Sequence, residues 1–344
     1  MSNTSILQSE SALARLLGQS LPEEGKTIDV RGQSFIMERG LLRSTQLATS
    51  SQQQTADSFG FKWKRRESYE NPLMLEAIRD WLFQRYGDPA SMSWLFNSGK
   101  NQILLDAGCG SGLSALELFG DRLNSIQYIG ADISEAAEVA AKRFGERGVR
   151  GQFIQSDLTK LPFEKNSVDV IFSEGVLHHT DSTKRALESV AKLLKADGRL
   201  MFYVYNKKSP IREFTDDFIR ERLQTATPDE AWEALMPLTK LGKTLGQLNI
   251  EVDVPETIKL LGIPAGKIDL QRLFYWHIFK AYYRPEWSLE EMNHVNFDWY
   301  APKNSFRQTP EEVRSWCEEF NLDIEREIVE EAGITIIARK TKVS

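Results

Sequence analysis

Short apolar runs alternate with amphipathic stretches between residues 101 and 205. Helical spacing of apolar residues marks the stretch after Gly112 and two further stretches, 135–144 and 182–194. Runs of strand length occupy 102–105, 126–131, 152–156, 168–172 and 199–205. Strands and helices that alternate at these lengths predict an α/β fold, in which a parallel sheet carries helices on both faces.

The segment before this region is polar and patchy. Its pattern predicts one short helix over Ile6–Leu17 and a loop or linker over Ser50–Gln54. Asn71 followed by Pro72 is typical of a helix start, and this helix should run to about Tyr86.

The segment after it, residues 206–309, contains several helix starts and no strand pattern. These starts are Ser209-Pro210, Thr227-Pro228-Asp229-Glu230 and Ser288-Leu289-Glu290-Glu291. A further helix from Thr309 to about Phe320 precedes two strand-like runs, 323–329 and 335–339. A Glu-Glu-Ala-Gly sequence separates these runs, which predicts a short hairpin at the C-terminus.

Composition narrows the class of protein. The chain has 344 residues, 41% of them hydrophobic, so it can bury a sizeable core. A net charge of −6 argues against a general polyanion binder, because duplex nucleic acid attracts a clustered basic face. Two cysteines are too few for a disulfide scaffold or an ordinary zinc site, so we expect no metal and a cytoplasmic setting. No secretion signal and no run of about 18 apolar residues is present, so we expect no membrane span.

The strongest candidate for chemistry is the glycine loop, defined here as Asp106-Ala107-Gly108-Cys109-Gly110-Ser111-Gly112. Glycines let the backbone turn tightly and let a ligand approach the main chain. The loop leads into a helix, whose free N–H groups attract anionic groups. Dinucleotide enzymes use the same Gly-x-Gly spacing, so this spacing alone leaves the ligand open.

Three strand-end carboxylates narrow the range of ligands that the glycine loop is expected to bind. Asp106 before the glycines would repel a pyrophosphate but suits an ammonium group. Asp132 is placed to accept hydrogen bonds from both hydroxyls of a ribose, and Asp157 from an adenine amino group. A single strand-end Asp is often only a helix N-cap, but three in series with the glycines favour a ligand. Amino acid, ribose and adenine together make S-adenosylmethionine.

With these residues and Phe172-Ser173-Glu174-Gly175-Val176-Leu177-His178-His179, the chain resembles the class I S-adenosylmethionine-dependent methyltransferases of the type 11, small-molecule kind. The resemblance covers about 73–205 and the C-terminal hairpin. It implies a Rossmann-like, doubly wound sheet of seven strands whose last strand is antiparallel, a feature that NAD-dependent oxidoreductases lack. The cofactor-binding residues expected on this basis are Asp106, Gly108, Cys109, Gly110, Gly112, Asp132, Ile133, Asp157, Leu158 and Ser173.

This resemblance divides the chain into three parts. We expect an N-terminal extension over 1–70 and a methyltransferase core formed by 71–205 and 309–344. The remaining part, 206–308, is expected to be a helical insertion. Ten aromatic residues lie between Phe274 and Tyr300, which suits either a core-packed helix face or a lid over the carboxyl edge of the sheet.

Candidate catalytic and acceptor-binding residues follow from these parts. His178 and His179 follow the fourth strand, where either could be a general base or a neutral residue beside the ligand. The basic cluster Lys62–Arg66 suits a solvated face, but related N-terminal extensions fold against the cofactor site. The acceptor-binding candidates are Trp63, Tyr69, His277, Tyr283, His294 and Trp299.

The leading hypothesis is methyl transfer to a small molecule by in-line displacement, with the acceptor held under a helical lid. Ser173-Glu174-Gly175-Val176 stands where amino-methylating nucleic-acid enzymes carry an Asn/Asp-Pro-Pro-aromatic motif, so no nucleic-acid partner is expected. A protein or nucleic-acid acceptor and a non-catalytic S-adenosylmethionine binder are the alternatives. The acceptor, the methylated atom and the oligomeric state stay open.

Overall fold

A computed structural model describes residues 11–46, 48–96 and 102–342. The strands are β1 (Thr27–Val30), β2 (Gln33–Glu38), β3 (Leu41–Ser44), β4 (Ile103–Ala107), β5 (Gln127–Asp132), β6 (Gln152–Gln155), β7 (Val168–Glu174), β8 (Leu194–Tyr205), β9 (Glu251–Val254), β10 (Gly266–Asp269), β11 (Leu322–Val329) and β12 (Gly333–Lys340). The helices are α1 (Ala12–Leu17), α2 (Ser50–Lys64), α3 (Pro72–Tyr86), α4 (Ser93–Phe96), α5 (Leu113–Phe119), α6 (Ala136–Glu146), α7 (Thr183–Ala191), α8 (Pro210–Leu223), α9 (Pro228–Gln247), α10 (Leu270–His277), α11 (Leu289–Tyr300) and α12 (Pro310–Glu319).

Ten strands form the main sheet, in the order β1-β2-β3-β6-β5-β4-β7-β8-β12-β11. The five strands from β6 to β8 are parallel, and β12 runs antiparallel between β8 and β11. The predicted α/β sheet with an antiparallel C-terminal hairpin is therefore confirmed. The seven expected strands are those from β6 to β11 in this order, and three N-terminal strands enlarge the sheet.

The three additional strands belong to a segment in which the sequence pattern predicted no strand. β1 and β2 are joined by Arg31-Gly32, and β2 and β3 by Arg39-Gly40; all four residues have positive φ. Two-residue turns of this kind match the twist of an antiparallel hairpin. β3 then pairs in parallel with β6, which brings the N-terminal extension onto the edge of the sheet.

Of two other predictions about the N-terminal extension, one is wrong and one can be compared with the structure only in part. The predicted linker over Ser50–Gln54 is wrong, because these residues form the first turn of α2, whose N-terminus is capped by the Thr49 hydroxyl. Of the helix predicted over Ile6–Leu17, Ala12–Leu17 is helical, and residues 6–10 lie outside the described residues.

The insertion contains α8 to α11 and one hairpin, β9 with β10, so the expectation of no strand there is wrong. Both capping boxes predicted in it are present, at Thr227 and at Ser288. Trp232 and Phe297 pack with Tyr205 at the end of β8, so part of the aromatic run serves as core. Within the described ranges, no helix combines the length and apolar character that crossing a bilayer requires.

Arg143 of α6 links the N-terminal extension to the glycine loop. Its buried guanidinium donates to the Ser111 carbonyl at 2.6 Å and to the Tyr69 hydroxyl at 2.9 Å, and it pairs with Glu70. A single buried cation thus joins α6, the loop after β4 and the chain that enters α3.

We expect Arg143→Met to lower the free energy of unfolding by roughly 3 kcal/mol, because the substitution leaves several buried acceptors without their donor. Urea denaturation measures this loss. The matched control is Lys142→Met, whose side chain is 75% exposed and reaches Glu146 only at 3.9 Å; it should change stability by less than about 0.5 kcal/mol. Equal losses in the two variants would contradict the role assigned to Arg143.

Candidate functional site

A cavity of about 470 Å³ opens at the carboxyl ends of β4, β5 and β7. Its walls come from the strand ends, from α2 and α3, and from the insertion. β4 lies between β5 and β7, the point at which the strand order reverses and open α/β sheets bind ligands. The chain therefore has a cavity at the place where the fold favours a ligand site.

The glycine loop forms the floor of this cavity. Gly108 has a φ of 89°, and a Cβ there would overlap the methyl groups of Val176. Gly110 has a φ of 50°, and a Cβ there would lie 3.0 Å from Nε1 of Trp63. Side chains are thus excluded from both positions, because Val176 and Trp63 already fill the space beside the two glycines.

Asp106 lies at the end of β4 and is 3% exposed. Its carboxylate accepts a hydrogen bond from the Tyr128 hydroxyl at 2.7 Å and has no cationic partner among the described residues. Burial raises the pKa of Asp106 to about 7. A carboxylate that lines a cavity without a counter-ion suits a positively charged ligand group.

Asp132 lies at the end of β5 and is held by the loops around it. Its oxygens accept hydrogen bonds from the Gly110 amide at 2.9 Å and from the Ser134 amide and hydroxyl at 2.8 and 2.6 Å. Burial raises its pKa, although these hydrogen bonds oppose the shift. The carboxylate is therefore fixed in orientation while it lines the cavity.

Asp157 also lines the cavity and caps a short 3-10 helix, accepting from the Thr159 amide at 2.8 Å. Ile133 and Leu158 lie beside the two carboxylates as apolar lining. Ser173 does not line the cavity, because its hydroxyl donates to the Ala107 carbonyl at 2.8 Å within the sheet. Gly112 is likewise outside the lining, at the N-terminus of α5.

Cys109 is buried in the glycine loop and lines the cavity. Burial raises the pKa of its thiol well above the usual value. A thiol that stays protonated is a poor nucleophile, so this residue acts as a small apolar group.

The two adjacent histidines differ in their access to the cavity. His179 lines it, and its Nδ1 lies 2.7 Å from the Asn304 carbonyl, so Nδ1 carries the proton. Its Nε2 then holds a lone pair, which has no partner in the described part of the chain. Burial lowers the pKa of His179 to about 4. His178 is buried behind it against Tyr205, with ring centroids 3.8 Å apart, and does not line the cavity.

The structure separates the acceptor-binding candidates into two groups. Trp63, Tyr69 and His294 line the cavity and contact one another, with the Trp63 and Tyr69 rings 5.1 Å apart. The other three do not line it. Trp299 packs behind Tyr205, and Tyr283 and His277 lie elsewhere in the insertion.

Within the basic cluster, Lys62 differs from the solvated face that the sequence suggested, whereas Lys64 is exposed. Lys62 is 5% exposed and forms an ion pair with Asp298 of α11. The Tyr205 hydroxyl donates to the same carboxylate at 2.9 Å. The burial has a simple origin: Lys62 lies on the side of α2 that faces the insertion.

Sequence reasoning missed several polar residues of the cavity. Glu174, at the end of β7, accepts from the Tyr86 hydroxyl and lies 3.5 Å from Arg85; burial raises its pKa to about 7. The insertion contributes a further wall, which we call the insertion wall: Tyr275, Lys280, Tyr282, Arg284, Trp287 and Asp298. Only the density of aromatic residues around 274–300 pointed to this wall in the sequence.

Comparison with known proteins agrees with this geometry. Residues 105–202 match the family model described as a methyltransferase domain. An uncharacterized methyltransferase of Bacillus subtilis, YcgJ, is 29% identical over 174 residues, which are 48% of this chain and 67% of that protein. The ubiquinone/menaquinone biosynthesis C-methyltransferase UbiE of Azotobacter vinelandii is 36% identical over 114 residues, 32% of this chain and 44% of UbiE. The tRNA U34 carboxymethyltransferase of Pseudoalteromonas atlantica is 32% identical over 104 residues, 30% of this chain and 31% of that enzyme.

The resemblance drawn from the motifs is therefore confirmed. Residues 105–202 are a methyltransferase domain, and its motifs are those of the class I, S-adenosylmethionine-dependent enzymes. Its matches span less than half the length of two of the three relatives, UbiE and the tRNA enzyme, and they leave the acceptor open.

The close approach at Gly108 gives a test of the loop. We expect Gly108→Ala to cost about 2–4 kcal/mol of stability, because it adds a collision with Val176 to the strain of a positive φ. Gly148→Ala is the matched control: Gly148 has a φ of 66° and no atom within 4 Å of its would-be Cβ, so about 1 kcal/mol is expected.

Thermal or urea unfolding of both variants measures the difference. Adding Val176→Ala to Gly108→Ala should recover part of the lost stability, since it removes the methyl groups that collide. If the Gly108 variant lost no more stability than the Gly148 control, the packing of the loop would be contradicted.

Proposed function

We propose that this enzyme methylates a small molecule that binds between the glycine loop and the insertion wall. The observation that carries the proposal is the continuity of the cavity, which reaches from Asp106 and Asp132 to Tyr275 and Lys280. Its volume of about 470 Å³ lies in the range of small-molecule sites. The name of UbiE, a C-methyltransferase of quinone biosynthesis, supports a small acceptor.

The cofactor half of the site is assigned to the strand-end carboxylates. Asp132 would accept from the ribose hydroxyls, Asp106 would face the amino group of the methionyl part, and Asp157 would lie near the adenine with Ile133 and Leu158. The buried carboxylate of Asp106, which has no cationic partner among the described residues, fits this ligand. When bound, S-adenosylmethionine supplies an activated methyl group.

His179 is the proposed base or hydrogen-bond acceptor for the reacting group. Donation from Nδ1 to the Asn304 carbonyl fixes the ring and leaves Nε2 without a partner among the described residues. With a pKa of about 4, the ring is neutral near pH 7 and can accept a proton from an acceptor hydroxyl or hold it in a hydrogen bond. His178 would act as packing behind it.

A nucleic-acid acceptor is the second candidate, because one relative is named for tRNA. The basic cluster offers it little support, since every charge in the cluster is paired. Lys62 pairs with Asp298, Lys64 with Glu135, Arg65 with Glu290 and Arg66 with Glu146. A cytoplasmic location, which rests on the low cysteine content, is kept as part of the proposal.

Release of S-adenosylhomocysteine from S-adenosylmethionine tests the acceptor class. Purified enzyme is incubated with a panel of small hydroxyl, amine and carboxylate compounds and, separately, with bulk tRNA. Turnover is expected with members of the small-molecule panel. Turnover with tRNA alone would overturn the proposal.

His179→Phe separates binding from reaction. The phenyl ring fills the space of the imidazole but has no lone pair, so turnover on a hydroxyl acceptor should fall by about 10²–10⁴-fold. The affinity for S-adenosylhomocysteine should stay within about threefold of the wild type, because the cofactor residues are untouched. A variant that retained full turnover would contradict the role of His179.

Cofactor affinity should depend on pH through Asp106. Its pKa is raised to about 7, so the carboxylate is ionised above that pH and protonated below it. Binding of an ammonium group needs the ionised form, so the Kd of S-adenosylhomocysteine should rise as pH falls below about 7, by up to about tenfold per unit.

Isothermal titration across this pH range measures the effect, with Asp106→Asn as the comparison. The Asn variant should bind more weakly at high pH and show a shallower profile. Glu174 also has a pKa of about 7 and titrates in both proteins, so the difference between the two profiles belongs to Asp106. Parallel profiles would contradict the assignment.

A further inference from the structure

Lys280 is a lysine of the insertion wall whose charge has no partner. It lies between α10 and α11, is 7% exposed, and lines the cavity. Its Nζ makes no hydrogen bond or ion pair within residues 11–46, 48–96 and 102–342, and lies 4.8 Å from the centroid of the Trp299 ring. Burying an ammonium group without a counter-ion costs free energy unless a bound ligand supplies the opposite charge.

The backbone around Lys280 is held in place. Its amide donates to the Tyr300 hydroxyl at 2.8 Å, and that hydroxyl donates to Asp216 at 2.8 Å. The Trp299 indole, against which the ammonium lies, donates to the same carboxylate at 2.7 Å. The lysine is therefore presented to the cavity by a fixed support.

Nearby carboxylates are already occupied by other groups. Asp216 pairs with Arg212 at 2.7 Å, and Asp298 binds Lys62 and the Tyr205 hydroxyl. Two further cations increase the positive charge of this region. Arg220 pairs with Asp217 at 3.1 Å, although its Nη2 is buried without a hydrogen-bond partner in the described residues. The Lys208 ammonium contacts backbone carbonyls, such as that of Ala332, and lies over the Trp299 ring. Lys208 and Lys280 thus both lack a carboxylate partner among the described residues.

Several aromatic residues line the same cavity as Lys280. Tyr275, Tyr282 and Trp287 belong to the insertion wall, and Tyr205 ends β8 on the side of the sheet. Flat aromatic walls favour a planar ligand, whose faces they can stack against. The lining therefore combines one unpaired cation with several rings.

We propose that Lys280 binds the anionic oxygen group, carboxylate or phosphate, of an aromatic acceptor. This inference rests on the proposed small-molecule function and names the class of acceptor. An anion beside Nζ would supply the counter-ion that the described residues do not, while the rings hold the aromatic part toward His179. Burial lowers the pKa of Lys280 to about 7, against the opposing charge of Asp298, and an anion beside Nζ would raise this pKa again by favouring the ammonium form.

The test measures binding of aromatic probes to enzyme saturated with S-adenosylhomocysteine. Benzoate and phenyl phosphate are titrated as the two anionic probes, and benzamide as the neutral probe, with isothermal titration as the readout. Either anionic probe is expected to bind at millimolar concentration or better, and more tightly than benzamide. The tighter of the two anions identifies the oxygen group that the site prefers.

Variants of Lys280 assign the effect to this residue. Lys280→Met, which keeps the length and removes the charge, should weaken the preferred anion by about tenfold or more and leave benzamide within about threefold. Lys280→Arg should retain most of the affinity, because it keeps a cation. Lys267→Met is the matched control, since this insertion lysine has a side chain that is 73% exposed; it should change nothing.

Several results would overturn the proposal. These are wild-type enzyme that binds neither anion, equal binding of benzamide and the anions, or unchanged anion affinity in Lys280→Met. A loss of S-adenosylhomocysteine affinity in Lys280→Met would assign the lysine to the cofactor carboxylate instead. Failure of the proposed function would give a different result. No small molecule in the acceptor panel would then lead to release of S-adenosylhomocysteine, whether or not the aromatic anions bind.

Discussion

The buried ion pair between Lys62 and Asp298 connects the parts of this molecule. Lys62 comes from α2 of the N-terminal extension, Asp298 from α11 of the insertion, and Tyr205 of the core completes the contact. Burial by itself would raise the pKa of Asp298, but the positive charge of Lys62 lowers it. Removing either partner would leave a buried charge uncompensated. The cavity therefore exists only when α2 and α11 are both docked on the sheet.

This arrangement gives the cavity two electrically different ends. Asp106 and Glu174 lie at the ends of β4 and β7, where burial raises the pKa of each to about 7. Lys280 lies at the other end, with Arg212 and Arg220 behind it. A cationic donor and an anionic acceptor would each be favoured at a different end. The charges would thus direct the donor and the acceptor to different ends of the cavity before their reacting atoms come into contact.

The core and its cofactor side could be predicted from the sequence because each signal there is local. Asp106 and Asp132 each follow an apolar run directly, and the glycines after Asp106 allow the tight turn with positive φ that the loop requires. The strands β1 to β3 were missed because their turns are Arg-Gly rather than the stronger Asn-Gly pairs. The insertion wall was beyond local reasoning, since the partner of Lys62 lies 236 residues away. Burial of that lysine is decided by tertiary contacts, and its neighbours in sequence suggest only a solvated face.

The N-terminal strands also determine when the chain can finish folding. β3 is synthesised more than one hundred residues before its partner β6, and α2 precedes α11 by more than two hundred. Until β6 and α11 have been synthesised, β3 and Lys62 therefore lack their native partners. Contacts of such long sequence separation form late and slow the overall reaction. The closed cavity thus requires segments from α2 to α11, so a chain truncated before α11 would lack one wall of the site.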